Sequence, residues 1–451
     1  MFNSVCIDNI PMTGTFFVLP LLILCLLLAI PFAVFANPTC KRNEQKPSIV
    51  VCSPGNKDYV LERGLVSDNN QTVKITLRGC RITVLGYEAF HGLPVVKQID
   101  LSNNKLSEIR LGTLDAAQQL THLNLSYNSI SKIPLGLFDK KPNLLSLDLK
   151  GNKISTLQLG VFDPLWKLQY LDISSNPFLG NQLNPELFRR NSRITFLDFS
   201  RNDMSETDDN ILQTLQTLEF LNLDRCTLTE VPNFATQKNL NTMKKLLLSV
   251  NQISKLDNPT TFANLNSLEL LNIGWNVLKS VHEDVFKPLK NLKIILLRNN
   301  RLTSIPESLF QNMRTLSNID LSHNYITFIP VNAFRGTGAK NLNLAYNQFT
   351  YLTDNFCLEL RNAGVRLQKF FFNQNPWQCK CLLDTIKEVE KFNIEYNTSK
   401  YDGAQPVCVS DKFELFAGVN RCQHMYCQTI DLKINFFDKD DLMCKSVSFT
   451  L

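Results

Sequence analysis

The sequence predicts an α/β solenoid: a curved horseshoe of about 13 stacked coils, with a parallel sheet on its concave face and a disulfide-stapled cap at each end. Three observations lead to this prediction. A phrase of leucines around an asparagine recurs every 23 to 28 residues. A second large apolar residue follows each phrase. The cysteines gather before the first copy and after the last.

The repeated phrase is L-x-x-L-x-L-x-x-N-x-L, and it recurs from about Thr72 to Trp377. In the second copy, Ile99-x-Leu101 has the period of a short strand whose inward residues are buried. A buried turn after that strand leaves backbone groups unpaired, at about 1–3 kcal/mol each, and the amide of Asn104 can bind them. Stacked copies therefore predict a ladder of anchors: Cys80, Asn104, Asn128, Asn152, Asn176, Asn202, Cys226, Asn251, Asn276, Asn300, Asn324, Asn347 and Asn375.

The second apolar residue of each copy is expected to fill the far side of its coil, and this column uses many of the chain's 30 phenylalanines. Because no copy can bury its apolar face alone, the coils are stable only as a stack. The column consists of Phe90, Leu114, Phe138, Phe162, Phe188, Leu212, Phe234, Phe262, Phe286, Phe310, Phe334 and Phe356.

Together these residues resemble the leucine-rich repeat family of the 24-residue extracellular type, over about two thirds of the chain. The chain is similar to Toll-like receptor ectodomains and to secreted leucine-rich repeat proteins of invertebrate immunity. It departs from the former because no transmembrane-length stretch or signalling domain follows Cys381, and from some of the latter because no heptad region follows the cap. An immune role is therefore an analogy at the level of the fold.

The first 36 residues resemble a secretory signal peptide, with an apolar run from Phe16 to Ala36. The leader before the run contains Asp8 and no lysine or arginine, so an uncleaved membrane anchor is the alternative. Lys41 and Arg42 would then favour a cytoplasmic body. The cysteines argue against that alternative, and we expect a secreted, extracellular protein.

The predicted domains are a signal peptide (1–36), an N-terminal cysteine cap (37–71), the repeats (72–377), a C-terminal cysteine cap (378–427) and a tail (428–451). Cys40 and Cys52 precede the first coil. The segment from Asn375 to Cys381 resembles the opening of the family's C-terminal cap, C-x-C followed by a helix. The resemblance implies that Cys379 pairs with Cys408, and Cys381 with Cys422 or Cys427.

Cysteine chemistry leaves two further questions. Zinc is disfavoured, since the pairs are C-x-C and C-x4-C in a secreted context, and no metal is expected. Cys357, Cys444 and one of Cys422 or Cys427 are left over. They favour either a third internal bridge with one inert buried thiol or a disulfide-linked dimer.

Glycosylation triplets agree with secretion and begin at Asn70, Asn124 and Asn397. The net charge is +6 and the pI about 8.6, which is mildly basic and implies no nucleic-acid partner. One basic cluster could meet an anionic glycan, although a solvated face is the favoured interpretation. It consists of Lys287, Lys290, Lys293, Arg298 and Arg301.

Function is expected on the concave face, where residues between the buried leucines point outward. Because neighbouring strands lie about 4.8 Å apart, the apolar residues there predict a continuous stripe about 25 Å long. An exposed apolar patch usually marks a binding site, whereas dimerisation or coverage by a loop are the alternatives. An aspartate column beside it, Asp100, Asp148, Asp172, Asp198 and Asp320, is interpreted as the family's usual L-D-L-S. The predicted binding residues are Tyr170, Phe196, Phe220, Leu247, Val250, Leu270, Trp275, Ile294 and Leu296.

No enzyme motif is present, and no cofactor is expected. His282-Glu283 begins a zincin-like phrase, but Phe286 stands where its second histidine belongs. We expect a secreted binding protein whose partner is a protein, a glycan or a lipid. The alternatives are an adhesive or matrix protein, a non-catalytic carrier subunit, or the ectodomain fragment of a transmembrane receptor.

Overall fold

One sheet runs along the whole solenoid. The computed structural model describes residues 37–397, together with 408–409, 434–436 and 445–446. Within them lies a sixteen-stranded sheet, in which β1 (Thr39–Arg42) pairs antiparallel with β2 (Ile49–Ser53), and every later pair is parallel. The later strands are β4 (Lys74–Thr76), β6 (Gln98–Asp100), β7 (His122–Asn124), β8 (Ser146–Asp148), β9 (Tyr170–Asp172), β10 (Phe196–Asp198), β11 (Phe220–Asn222), β12 (Lys245–Leu247), β13 (Leu270–Asn272), β14 (Ile294–Leu296), β15 (Asn318–Asp320), β16 (Asn341–Asn343), β17 (Lys369–Phe371) and β18 (Glu395–Asn397).

Thirteen of these strands, β4 and β6 to β17, are the predicted repeats, and β2 and β18 extend the sheet into the caps. Among these thirteen strands the register is constant, since the buried middle residue of each strand pairs with the middle residue of the next, as in Leu147 with Leu171. A small parallel pair, β3 (Tyr59–Leu61) with β5 (Ile82–Leu85), lies beside the first coil. The predicted curved leucine-rich solenoid is confirmed.

The asparagine ladder binds each coil to the one before it. Asn128 donates from Nδ2 to the carbonyl oxygens of Leu125, in its own turn, and of Leu101, in the preceding coil, both at 3.0 Å. Its Oδ1 accepts from the backbone N–H of Leu106 at 3.0 Å. The other asparagine anchors make the same kinds of bond, and all are buried, so the backbone groups of the buried turns are paired.

Two cysteines replace asparagine in the ladder. The Cys226 thiol lies 3.4 Å from the carbonyl oxygen of Phe199, and the Cys80 thiol lies 3.6 Å from that of Cys52. Burial raises the pKa of Cys226 to about 12 and that of Cys80 to about 11. Both sulfurs therefore keep their proton, which is the hydrogen that such a contact needs.

The convex side is built from turns and short 3-10 segments around a buried aromatic column. The rings of Phe262, Phe286, Phe310 and Phe334 follow one another at 6.2, 6.2 and 5.9 Å between centroids. The 3-10 segments are Gly180–Gln182, Asn233–Ala235, Lys238–Leu240 and Val331–Phe334. In the described part of the chain, α-helix occurs only at the C-terminal end, in Phe356–Asn362 and Cys379–Lys391.

Both caps hold a disulfide, as the fold prediction requires. Cys40–Cys52 joins β1 to β2, and Cys379–Cys408 joins the helix Cys379–Lys391 to β19 (Cys408–Val409). Strand β19 belongs to a three-stranded sheet with β20 (Ile434–Phe436) and β21 (Lys445–Ser446). Trp377, 1% exposed, closes the last coil and donates from Nε1 to the carbonyl oxygen of Phe372 at 2.8 Å.

Several predictions fall on residues outside the described ranges. These are the signal peptide, the partner of Cys381 (Cys422 or Cys427), and the pairing of Cys444. Cys357 is described and buried in the helix Phe356–Asn362, next to Glu388, which accepts from its backbone N–H at 2.9 Å. Across the described residues, we find no helix with both the length and the hydropathy needed to span a bilayer.

Candidate binding face

Three aromatic side chains, Tyr170, Phe196 and Phe220, form what we call the aromatic ladder on the concave face. They open strands β9, β10 and β11 and are direct register partners. Their ring centroids are 4.3 Å apart in both pairs, with interplanar angles of 13° and 3°. Parallel strands in register hold like side chains at strand spacing, so the rings stack and each stays half-buried. Each stacked pair is worth about 0.5–1.5 kcal/mol beyond its buried area.

Lys245 interrupts the stripe that we expected to be continuous. It is exposed and lies between Phe220 and Leu270 in the register row, so the ladder ends there. Polarity also alternates in the row two residues further along each strand, where Asn272 separates Leu247 from Leu296. The predicted residues therefore form two groups: the aromatic ladder, and an aliphatic group that consists of Leu247, Leu270, Ile294 and Leu296.

Val250 and Trp275 lie at the edge of this face, each just before an anchor asparagine. Both have left-handed backbones, with φ of 57° and 56°. The residue at this point of the coil is left-handed in most copies, because the chain turns sharply out of the strand. Trp275 is 54% exposed, so much of its large apolar surface faces solvent.

A row of aspartates flanks the aromatic ladder: Asp148, Asp172 and Asp198, which we call the carboxylate row. They end strands β8, β9 and β10, and Asp172 and Asp198 share a sheet face with the ring two residues earlier in the strand. Each accepts a bond from the backbone N–H two residues later, at 3.0, 2.9 and 2.8 Å.

Burial perturbs two carboxyl groups of the row, Asp148 and Asp172. It raises the pKa of Asp148 to about 6, and the neighbouring charge of Asp172 acts in the same direction. Burial also raises the pKa of Asp172, and the nearby carboxyl group of Asp198 raises it further. In the sequence these aspartates match the pattern usual for the family, and the signal that distinguishes them is that three consecutive copies are acidic beside the aromatic ones.

The remaining predicted sites are scattered. Asn70 and Asn397 are exposed, whereas Asn124 is half-buried in β7 and its Oδ1 accepts from the Ser126 backbone at 2.9 Å. Glycans at these positions stay a prediction. In the basic cluster, Lys293 pairs with Glu269 at 2.9 Å. Within the described ranges, no three side chains of metal-binding type come together.

Comparison with protein families identifies the repeats. The model described as "Leucine rich repeat" matches residues 71–130, 118–178, 241–300 and 290–349, and a second model of the same description matches 167–191. Together the matches cover about half of the chain. No curated protein matches its sequence.

Solved structures share the architecture at low identity. A Leptospira interrogans leucine-rich repeat protein has 23% identity and a TM-score of 0.59, over 74% of this chain and 87% of its own. A chain of the Drosophila Toll–Spatzle complex has 19% identity and a TM-score of 0.59, over 80% of this chain and 49% of its own. The APL1 leucine-rich repeat domain has 18% identity and a TM-score of 0.54, over 78% and 93%. At these identities the likeness concerns the fold.

Proposed function

Because this chain belongs to the leucine-rich repeat proteins, we propose that it is a secreted binding protein that recognises a macromolecular partner, above all a protein, through its concave face. The solenoid is a scaffold of a kind that typically binds proteins and has no enzymatic role of its own. The proposed contact residues are the aromatic ladder, the aliphatic group, Val250 and Trp275.

The observation on which the proposal rests is the half-exposed aromatic ladder. The fold does not require rings there, since Gln98, Ser146 and Asn318 occupy the same register row in other strands. The rings of Phe and Tyr are not stabilised by contact with water, but they contribute strongly to the free energy of binding when a partner buries them. Stacking also fixes their rotamers in advance, so binding loses little conformational entropy.

The disulfides support an extracellular location. Cys40–Cys52 and Cys379–Cys408 are structural crosslinks of the two caps, and such bonds persist mainly in oxidising compartments. The Toll–Spatzle complex, one chain of which shares this fold, is described as a molecular hub in Drosophila development and innate immunity. A role in innate immunity is therefore part of the proposal.

Affinity capture tests it. The full chain, expressed by secretion and immobilised, is exposed to extracellular fluid of its source, and the partner that it retains is identified and titrated. The variant Tyr170→Ser/Phe196→Ser/Phe220→Ser is expected to bind that partner at least about tenfold more weakly, since buried aromatic residues dominate interface energetics.

The matched control is Leu111→Ser/Leu135→Ser/Leu159→Ser, which removes three exposed apolar side chains outside the sheet. Its affinity should equal that of the wild type. Equal affinity of the ladder variant, with its fold intact by circular dichroism, would contradict the proposal.

A further inference from the structure

The aromatic ladder has a charged border. In β9 and β10, each ring and the aspartate two residues later lie on one face of the sheet. Because the strands are in register, the three carboxylates of the row follow one another at strand spacing, about 4.8 Å. Ring edges and carboxylates thus run side by side in β9 and β10, and Asp148 extends the row to β8. Asp148 is half-buried, whereas Asp172 and Asp198 are 4% and 7% exposed.

No cation within the described residues pairs with this row. Some acidic side chains elsewhere are held in ion pairs, as in Asp163 with Arg189 and Glu219 with Lys244. By contrast, no basic nitrogen among the described residues lies within 4.0 Å of a carboxylate in the row. The cation that acts on Asp148 and Asp172 is Lys150, from outside ion-pair distance.

The fold itself does not need the negative charge. At the same point of other strands, Asn124, Asn222, Asn272 and Asn343 accept the same backbone bond, at 2.9, 3.0, 3.0 and 3.1 Å. An asparagine amide therefore closes the turn as well as a carboxylate does. Asp148 and Asp172 are thus two adjacent carboxylates that the turn does not require, on a chain whose net charge is +6, and a partner can neutralise them.

We propose that the aromatic ladder and the carboxylate row together dock an extended polypeptide segment in which lysine or arginine residues alternate with apolar ones. The inference rests on the proposed function and specifies the chemistry of its partner. The apolar side chains cover the rings, and the cations meet the carboxylates. Lys245 in β12 lies beside Phe220 at the end of the aromatic ladder, and its positive charge repels the cations of the peptide. The peptide's basic side chains are therefore expected to bind near β8 to β10.

Synthetic peptides test the inference with the full chain. Three labelled 12-residue peptides have leucine at alternate positions, and lysine, serine or glutamate at the others. Binding is measured by fluorescence anisotropy at pH 7.4 over a series of salt concentrations. The lysine peptide is expected to bind at least about tenfold more tightly than the other two, and its affinity should fall as salt rises.

The decisive variant is Asp148→Asn/Asp172→Asn. Asp198 is left in place, because its Oδ2 also accepts from Asn222 Nδ2 at 2.9 Å and asparagine would lose that bond. The variant should lose most of the preference for the lysine peptide over the serine peptide. The matched control Asp100→Asn/Asp320→Asn, which changes the same position in distant strands, should keep it.

The outcomes separate the two proposals. If no peptide binds, if the lysine peptide shows no advantage, or if the Asp148/Asp172 variant retains that advantage, the basic-segment inference is overturned. The concave-face proposal would still stand if the variant Tyr170→Ser/Phe196→Ser/Phe220→Ser failed to bind the partner identified by affinity capture. If the protein bound neutral glycans on an array, and the Asp148→Asn/Asp172→Asn variant bound them equally well, the face would be assigned to carbohydrate instead.

Discussion

Two columns of stacked rings run through this solenoid, and they differ in what they do. On the convex side, Phe262, Phe286 and Phe310 are fully buried, with ring centroids 6.2 Å apart. On the concave side, the rings of the aromatic ladder are half-buried and 4.3 Å apart. The wider outer spacing agrees with coils that fan out around a curved inner sheet. A buried ring stabilises the stack, whereas a half-buried ring leaves surface for a partner.

The largest expected effect comes from substituting one ring of each column by alanine. Phe286→Ala leaves a cavity between two neighbouring rings and should cost about 3–5 kcal/mol of unfolding free energy. Phe196→Ala removes a side chain that already faces water on one side, and it should cost about 1–2 kcal/mol. Urea denaturation followed by circular dichroism, with Leu135→Ala as the exposed control, measures both.

A loss in Phe196→Ala as large as that in Phe286→Ala would contradict the comparison. The concave ring would then be a structural residue, and its exposure would be no argument for binding. Partner affinity should show the reverse order: it should fall in Phe196→Ala and remain unchanged in Phe286→Ala under conditions where that variant is folded.

Lys141 offers the next largest effect, on the convex side. It is 0% exposed at a position where other coils have Leu165 or Leu215, and its Nζ lies 3.2 Å from the carbonyl oxygen of Lys140. Burial lowers the pKa of Lys141 from 10.5 to about 8. Below pH 8 the folded state must bury a charge, so Lys141→Met should stabilise the protein by about 1–3 kcal/mol at pH 7.

The pH dependence checks the cause. Between pH 8 and 10.5 the folded lysine is neutral while the unfolded one still holds its proton, so wild-type stability should rise relative to Lys141→Met. The urea midpoints of the wild type and of Lys141→Met, measured at pH 7, 8, 9 and 10, should therefore approach each other as the pH rises. A difference that stays constant over this range would mean that desolvation of the ammonium is not responsible.

Much of this molecule could be predicted from its sequence, because the repeat dictates which residues are buried. Anchors such as Asn128 and convex residues such as Phe286 recur at a fixed spacing, and one period determines both. The two face groups could not be separated in the same way. Their extent depends on which side chains are neighbours across strands, and Lys245 becomes an interruption only when the register places it beside Phe220.

The carboxylate row escaped prediction for a related reason. Asp148 and Asn124 look equivalent in a one-dimensional pattern, because both accept the same backbone bond in the turn. Only the three-dimensional arrangement shows that Asp148 and Asp172 are adjacent, partly desolvated and outside any ion pair of the described residues. Local periodicity thus accounts for the scaffold, whereas the character of its surface depends on contacts between copies.

The smallest expected effect concerns Val250, where binding and stability should oppose each other. A β-branched residue is disfavoured at its φ of 57°, whereas asparagine tolerates that region and occupies it at Asn103. Val250→Asn should therefore stabilise the fold by about 1 kcal/mol, or about 1–2 °C in a chain of this size. The reciprocal control, Asn103→Val, should lower the melting temperature by a similar amount. If Val250 also contacts the partner, its more stable asparagine variant should bind less tightly, and a lower melting temperature for Val250→Asn would instead mean that the valine methyls pack against the coil.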